Sequence, residues 1–321
     1  MVKTHKILIP NMAVTQFGSC RRHWASEGYQ TEVLGNCGSE VAQLGLKYVH
    51  NDTCYPALLV IGQFLDALNS GKYDLDHTAL LITQTGGGCR ASNYIKLLRK
   101  ALVKAGYGNI PVASLNFSGL EKGSGLPLTV PLLRKVIASI FYGDMLVALR
   151  SQTHAYENHR GDADAMTEKW ISTIQGWIRD DKNYSAHDMK RRFYDIAADY
   201  ATIPITRVPK VKVGVVGEIY VKYSPLGNND LEKFLESQDC EVNLPGLMGF
   251  VEYCVATTSW TSTCTAATSW WRAARTRFLR WLDGIGCASY DAMRKYGFYA
   301  PGSFRELMKS PRHQSPDRCP S

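Results

Sequence analysis

The sequence predicts the α/β class, with parallel sheets and crossover helices. Short β-rich runs alternate with helical patterns from the N-terminus to about residue 116, and the alternation resumes after Pro209. The composition, 45% hydrophobic and 21% charged over 321 residues, is that of a water-soluble globular chain long enough for two domains. Two α/β domains joined by a helical segment follow from these features.

The elements are read in order. Residues 6–10 (KILIP) form a first strand, and residues 31–34 (TEVL) a second after a polar helix around 21–28. Residues 79–83 (ALLIT) and 111–116 (PVASLN) supply the third and fourth. Between them, residues 56–68 (PALLVIGQFLDAL) place Leu58, Ile61, Leu65 and Leu68 at helical spacing among further apolar residues, so this helix is predicted to be well buried. Residues 93–106 are more amphipathic. Tyr94, Leu98, Ala101 and Ala105 mark one face, Lys96, Lys100 and Lys104 another, and Gly106 is the expected stop.

Residues 126–150 read as a long apolar helix, and 151–205 as polar helical connections. A second α/β unit opens with a strand at 211–217 (VKVGVVG), followed by a helix at 229–237 and a strand at 241–244. Residues 254–273 hold six threonines, three tryptophans and one charge, with neither strand nor helix period. One reading is that this stretch and the tail are translated out of frame. The expected division is 1–150, 151–205, 206–310 and a tail at 311–321.

Charge and leader signals narrow the function classes. The net charge is +8, but residues 254–321 carry ten Lys/Arg against four Asp/Glu, a net of +6. The remaining body is nearly neutral, which argues against nucleic-acid binding. No apolar run reaches membrane-spanning length, and the N-terminus lacks a secretory pattern, so a cytoplasmic protein without membrane contact is expected. The nine cysteines contain no C-x-x-C pair, so zinc-finger and thioredoxin patterns are absent.

Two cysteines share one setting. The third strand runs into Gln84-Thr85-Gly86-Gly87-Gly88-Cys89-Arg90 just before a helix, and Asn51-Asp52-Thr53-Cys54-Tyr55-Pro56 leads straight into the buried helix. Pro56 suits a first helical turn. Before a helix N-terminus, free N–H groups and the macrodipole favour a thiolate. Ligands of parallel α/β sheets lie at the carboxyl ends of strands, where Cys89 belongs and which Cys54 can reach. Gly86, Gly87 and Gly88 fit neither phosphate-binding glycine fingerprint. They offer bare backbone and N–H donors to an anion, as an iron–sulfur cluster held by thiolates would be. The alternatives at this point are a tight turn with a buried thiol, or a nucleophilic cysteine with His50 or His77 near in sequence.

The stretch KYVHNDTCYPALLVIGQFLDALNSGKYD, then ALLITQTGGGCRASNYIKLLRKAL and PVASLNFSGLEK, resembles the large activase-related proteins of the 2-hydroxyacyl-CoA dehydratase superfamily. VGVVGEIYVKYSPLGNNDLEKFLESQ and RKYGFYAPGSFREL are similar to later blocks of the same proteins, so the likeness spans about 5–253 and 277–309. It implies two Rossmann-like parallel-sheet domains joined by a helical segment, the second incomplete, with a [4Fe–4S] or double-cubane cluster. Cys54 and Cys89 match the family's cysteine motifs and would be ligands. A further family cysteine lies beyond the FYAPGSF block, so the resemblance implies a chain shortened at its C-terminus. Cys20 and Cys37 match no family motif; either is an extra ligand or a buried thiol. The implied chemistry is ATP-activated, low-potential electron transfer for reductive dehydration or reduction, with an activase as partner and an acyl-CoA as substrate. Arg90 is then a candidate for binding a carboxylate or phosphate, or a solvated helix-start arginine. Glu218 is a candidate pocket acid, or a helix-start carboxylate. The alternatives are a non-enzymatic electron-transfer or maturation module, and a metal-free small-molecule binding protein.

Overall fold

The protein is described here from a computed structural model, over residues 4–13, 15–16, 30–84, 89–116, 129–264, 269–304 and 306. The elements in chain order are β1 (Lys6–Ile9), β2 (Gln30–Val33), α1 (Ser39–Tyr48), α2 (Tyr55–Asn69), β3 (Thr78–Gln84), α3 (Tyr94–Ala105) and β4 (Val112–Asn116). They continue with α4 (Val130–His154), α5 (Asp162–Arg179), α6 (Ala186–Ala201), β5 (Lys212–Gly214), α7 (Ile219–Tyr223), α8 (Pro225–Asn228), α9 (Leu231–Ser237), β6 (Glu241–Asn243), α10 (Leu247–Cys264) and α11 (Ser269–Lys295). The chain is α/β. The helix expected around 21–28 and the tail at 311–321 lie outside the described residues.

Two compact units form. The first takes residues 1–136, 178–180 and 216–234, the second the remainder. In the first, four strands make one parallel sheet in the order β2-β1-β3-β4. Alternation along the strands sends side chains to both faces. Leu8, Leu80 and Ile82 join α2 and α3 in the larger core, whereas Ile7, Ala79, Leu81 and Ala113 line the opposite face. A sheet covered on both sides needs strands apolar throughout, which is why KILI and ALLI lack a polar face.

Helix α2 is the centre of this core. Every residue from Pro56 to Leu65 is buried. It crosses α1 backbone to backbone: a Cβ on Gly45 would collide with the Leu58 carbonyl, and one on Gly62 with the Val41 carbonyl. Only glycine permits helices to approach this closely. Helix α3 ends at Gly106, whose φ of 87° caps it in the left-handed conformation as expected. Its buried face is Ile95, Leu98, Ala101 and Leu102; Tyr94 and Ala105 are only half-buried. Both still pack against the larger core, so the expected stripe of Tyr94, Leu98, Ala101 and Ala105 holds, widened by Ile95 and Leu102.

The second unit is mainly helical. Tyr142 and Phe193, both fully buried, meet edge-on with ring centroids 5.5 Å apart. Arg150 forks onto Glu236, at 2.5 and 3.3 Å, and reaches Asp164 at 2.6 Å. Its strands β5 and β6 pair in parallel, Lys212 opposite Glu241 and Gly214 opposite Asn243. The strand expected over 211–217 is thus three residues long. Val216 lies outside it and is 80% exposed. The stretch expected to lack any period is helical, within α10 and α11, apart from 265–268, which lie outside the described residues. Among the described residues no helix is long and apolar enough to cross a membrane.

Candidate functional site

Cys54 and Cys89 each occupy the last non-helical position before a helical turn. At Cys54 the backbone is extended (φ −48°, ψ 130°), Pro56 follows in the first turn of α2, and the Cys54 carbonyl accepts the Ala57 N–H at 2.9 Å. At Cys89 (φ −70°, ψ 135°) the carbonyl accepts the Ser92 N–H at 3.2 Å and the Ser92 hydroxyl at 2.6 Å, in the short 3₁₀ turn Arg90–Asn93 that leads into α3. Neither side chain caps its own helix. Each carbonyl accepts the first bond of its turn, and neither sulfur accepts one from its own helix. The Cys54 thiol is half-buried and the Cys89 thiol exposed.

Tyr94, the first residue of α3, reaches Cys54. Its hydroxyl donates to Cys54 Sγ at 3.2 Å. Burial pushes this phenol far above its ordinary range. The hydrogen bond to Cys54 and the acidic groups Cys54, Cys89 and Glu218 push it the same way. The proton therefore stays on Tyr94 and the O–H remains a donor.

Glu218, expected to end a strand of the second domain, instead belongs to the first unit. It caps α7, its carboxylate accepting the Val221 N–H at 2.9 Å, and its side chain is exposed. It also acts on Tyr220, which burial, reinforced by Cys37, Glu218 and Tyr55, raises to about 12. Arg90 is exposed. Cys37, exposed in the loop after β2, has its thiol raised by burial and by Asp230 and lowered by Lys233. His50 and His77 face Asp52 at 3.3 Å and Asp74 at 2.8 Å, each within its own turn, and neither pairs with a cysteine. Gly86, Gly87, Gly88 and Cys20 lie outside the described residues.

The scaffold beneath the site is cross-linked by side-chain hydrogen bonds. Gln63 of α2 is fully buried, accepts the Asn11 N–H at 2.9 Å and donates to the Asn36 carbonyl at 2.9 Å. Asn36 returns a bond to the Gln63 carbonyl at 2.9 Å and another to Asp66 at 2.7 Å. The loops leaving the carboxyl ends of β1 and β2 are thereby tied to the helix that carries Cys54. Connections leave β1 and β3 in opposite directions along the sheet, so the crevice at their carboxyl ends is a topological switch point, and Cys89 stands just after β3.

The donor chemistry fits part of an iron–sulfur site. Cys54 Sγ lies against the Tyr94 phenol and Cys89 stands just after β3, and a cluster needs about four ligands. Among the described residues no group of three His, Cys, Asp or Glu side chains is placed to hold a metal. Sequence reasoning proposed both cysteines and gave Tyr94 and Gln63 no role at the site. A tyrosine at a helix start and a glutamine inside an apolar helix have no spacing signal; only the unlikely burial of that glutamine in PALLVIGQFLDAL hinted at a partner. Comparison of the chain with protein families, with curated proteins and with solved structures gives no match.

Proposed function

We propose that the chain is an iron–sulfur protein of the 2-hydroxyacyl-CoA dehydratase type, in which Cys54 and Cys89 are thiolate ligands. The first unit is then a Rossmann-like domain, with the strand order β2-β1-β3-β4 of a doubly wound sheet. The second, with its parallel β5–β6 pair, is an incomplete counterpart. The observation that carries the reading is that both cysteines stand immediately before helical turns on one sheet edge with neither sulfur spent on a helix cap, and that Cys54 Sγ is bonded by Tyr94. When bound, the cluster supplies low-potential electron transfer.

The chain's own residues have narrower tasks. Cys54 and Cys89 hold the metal from two loops of one sheet edge. The Gln63 network fixes those loops. Glu218 adds negative charge to the same side, and Arg90, exposed next to Cys89, is available to an anionic substrate group. Gly86, Gly87 and Gly88 would let backbone approach the cluster. An activase, an acyl-CoA and a cytoplasmic setting complete the proposal.

The test is anaerobic purification and reconstitution with iron and sulfide. Wild type should bind both and absorb at about 400 nm. Cys54→Ala and Cys89→Ala should each lose most of that absorbance. A colourless wild type, or single variants as coloured as wild type, would overturn the assignment. Turnover of a hydroxyacyl-CoA with activase and ATP separates a dehydratase component from an electron-transfer module that shares the site.

A further inference from the structure

We propose that Tyr94 is a positioning residue, whose hydroxyl holds the Cys54 sulfur in place from the first turn of α3. The geometry carries this. The O–H···S contact is 3.2 Å long and joins residues 40 positions apart, on two different helices. Tyr94 is set by α3, whose next residue, Ile95, is fully buried. Cys54 is set by α2 through backbone bonds from Ala57 and Leu58 to its carbonyl. Backbone thus fixes the Cys54 main chain but leaves its χ1 free, because the sulfur makes no cap. The phenol is the recorded hydrogen-bond partner that selects one rotamer. Cys89 is exposed and has no such phenol bond among the described residues, so the two thiols are held unequally.

For the cluster, this inference rests on the reading of Cys54 as a ligand. A hydrogen bond to a ligand sulfur stabilises the more negative, reduced state, so it raises the reduction potential. Tyr94 would set the potential from the Cys54 side without touching iron.

The experiment uses the full chain in two states. In the metal-free protein, Cys54 and Cys89 are alkylated with iodoacetamide on the pH plateau of the reaction, so that ionisation drops out, and each site is followed by peptide mass spectrometry. Tyr94→Phe keeps the ring and removes the donor. Cys54 should react about fivefold faster relative to Cys89, the worth of one hydrogen bond. An unchanged Cys54-to-Cys89 ratio overturns the proposal. If the Phe variant unfolds, Tyr94→Leu gives the same reading with the same control. In the reconstituted protein, redox titration should give a more negative potential for Tyr94→Phe at equal iron content; an equal potential also overturns it. Should wild type take up no iron while the alkylation ratio still moves, the cluster reading fails and the anchoring of the Cys54 sulfur by Tyr94 stands.

Discussion

Glu252 is a carboxylic acid placed where water hardly reaches, at 5% exposure on α10. Burial, then Asp283 and Asp144, raise it to about 7. Asp144 cannot relieve this by moving away. Its carboxylate accepts the Leu247 and Met248 N–H groups at 2.9 and 2.8 Å, and so caps α10. Gly246 leaves it room: a Cβ there would come within 2.7 Å of Asp144. The folded chain therefore binds the Glu252 proton more tightly than the unfolded chain does. Stability from this group is fully present below the ordinary glutamate value and is lost as pH rises towards about 7. Glu252→Gln removes the titration. It should match wild type near pH 4.5 and exceed it above about pH 7.5 by roughly 1–3 kcal/mol, read as a higher melting midpoint. A stability difference that does not change between those pH values would sink this account.

The elements that deliver the cysteines depend on one helix crossing. Gly45 of α1 and Gly62 of α2 meet where added side chains would strike backbone, which cannot swing aside as a side chain does. Gly62→Ala should cost about 2–4 kcal/mol in denaturant unfolding, far beyond the small gain alanine brings to an open helix site. Gly176, on α5, would meet nothing within 4 Å, and Gly176→Ala should be neutral or slightly stabilising. Equal effects at the two sites would refute the crossing. The same elements show what sequence conveys. The four strands and α2 were legible because their apolar runs are short, bounded and continuous. The stripe of α3 was legible too, although Ile95 and Leu102 widen it, and only the fold reveals that the tyrosine tip turns to Cys54. The strand at 211–217 was overestimated because VKVGVVG reports β propensity, whereas strand length depends on a partner, and β6 pairs over three residues. For Glu218, no local pattern tells a capping carboxylate from a pocket acid, nor which unit receives a distant segment.

At the scale of the whole molecule, that distant segment decides how the first unit holds together. Residues 216–234 return to it after the chain has built much of the second. They bring Tyr220 and Leu226 into the larger core, at 6% and 5% exposure, and the Ser224 hydroxyl donates to the Asn11 carbonyl at 3.2 Å, with Asn11 itself held by Gln63. A cut at residue 150, which the sequence suggests as a domain boundary, would strip all of this away. Burial of one such large side chain contributes about 1.5–3 kcal/mol, so losing two removes roughly 3–6 kcal/mol from a total of order 5–15. The fragment 1–150 should therefore unfold at a clearly lower urea concentration than the first unit does in the full chain. A peptide of residues 216–234, added in trans, should recover part of that difference. A Leu226→Ala peptide should recover less, since the truncated side chain leaves a cavity. A fragment 1–150 that unfolds at the same urea concentration as the full-length chain, or that ignores the peptide, would mean the sheet and α2 suffice alone and that the late segment merely rests against them.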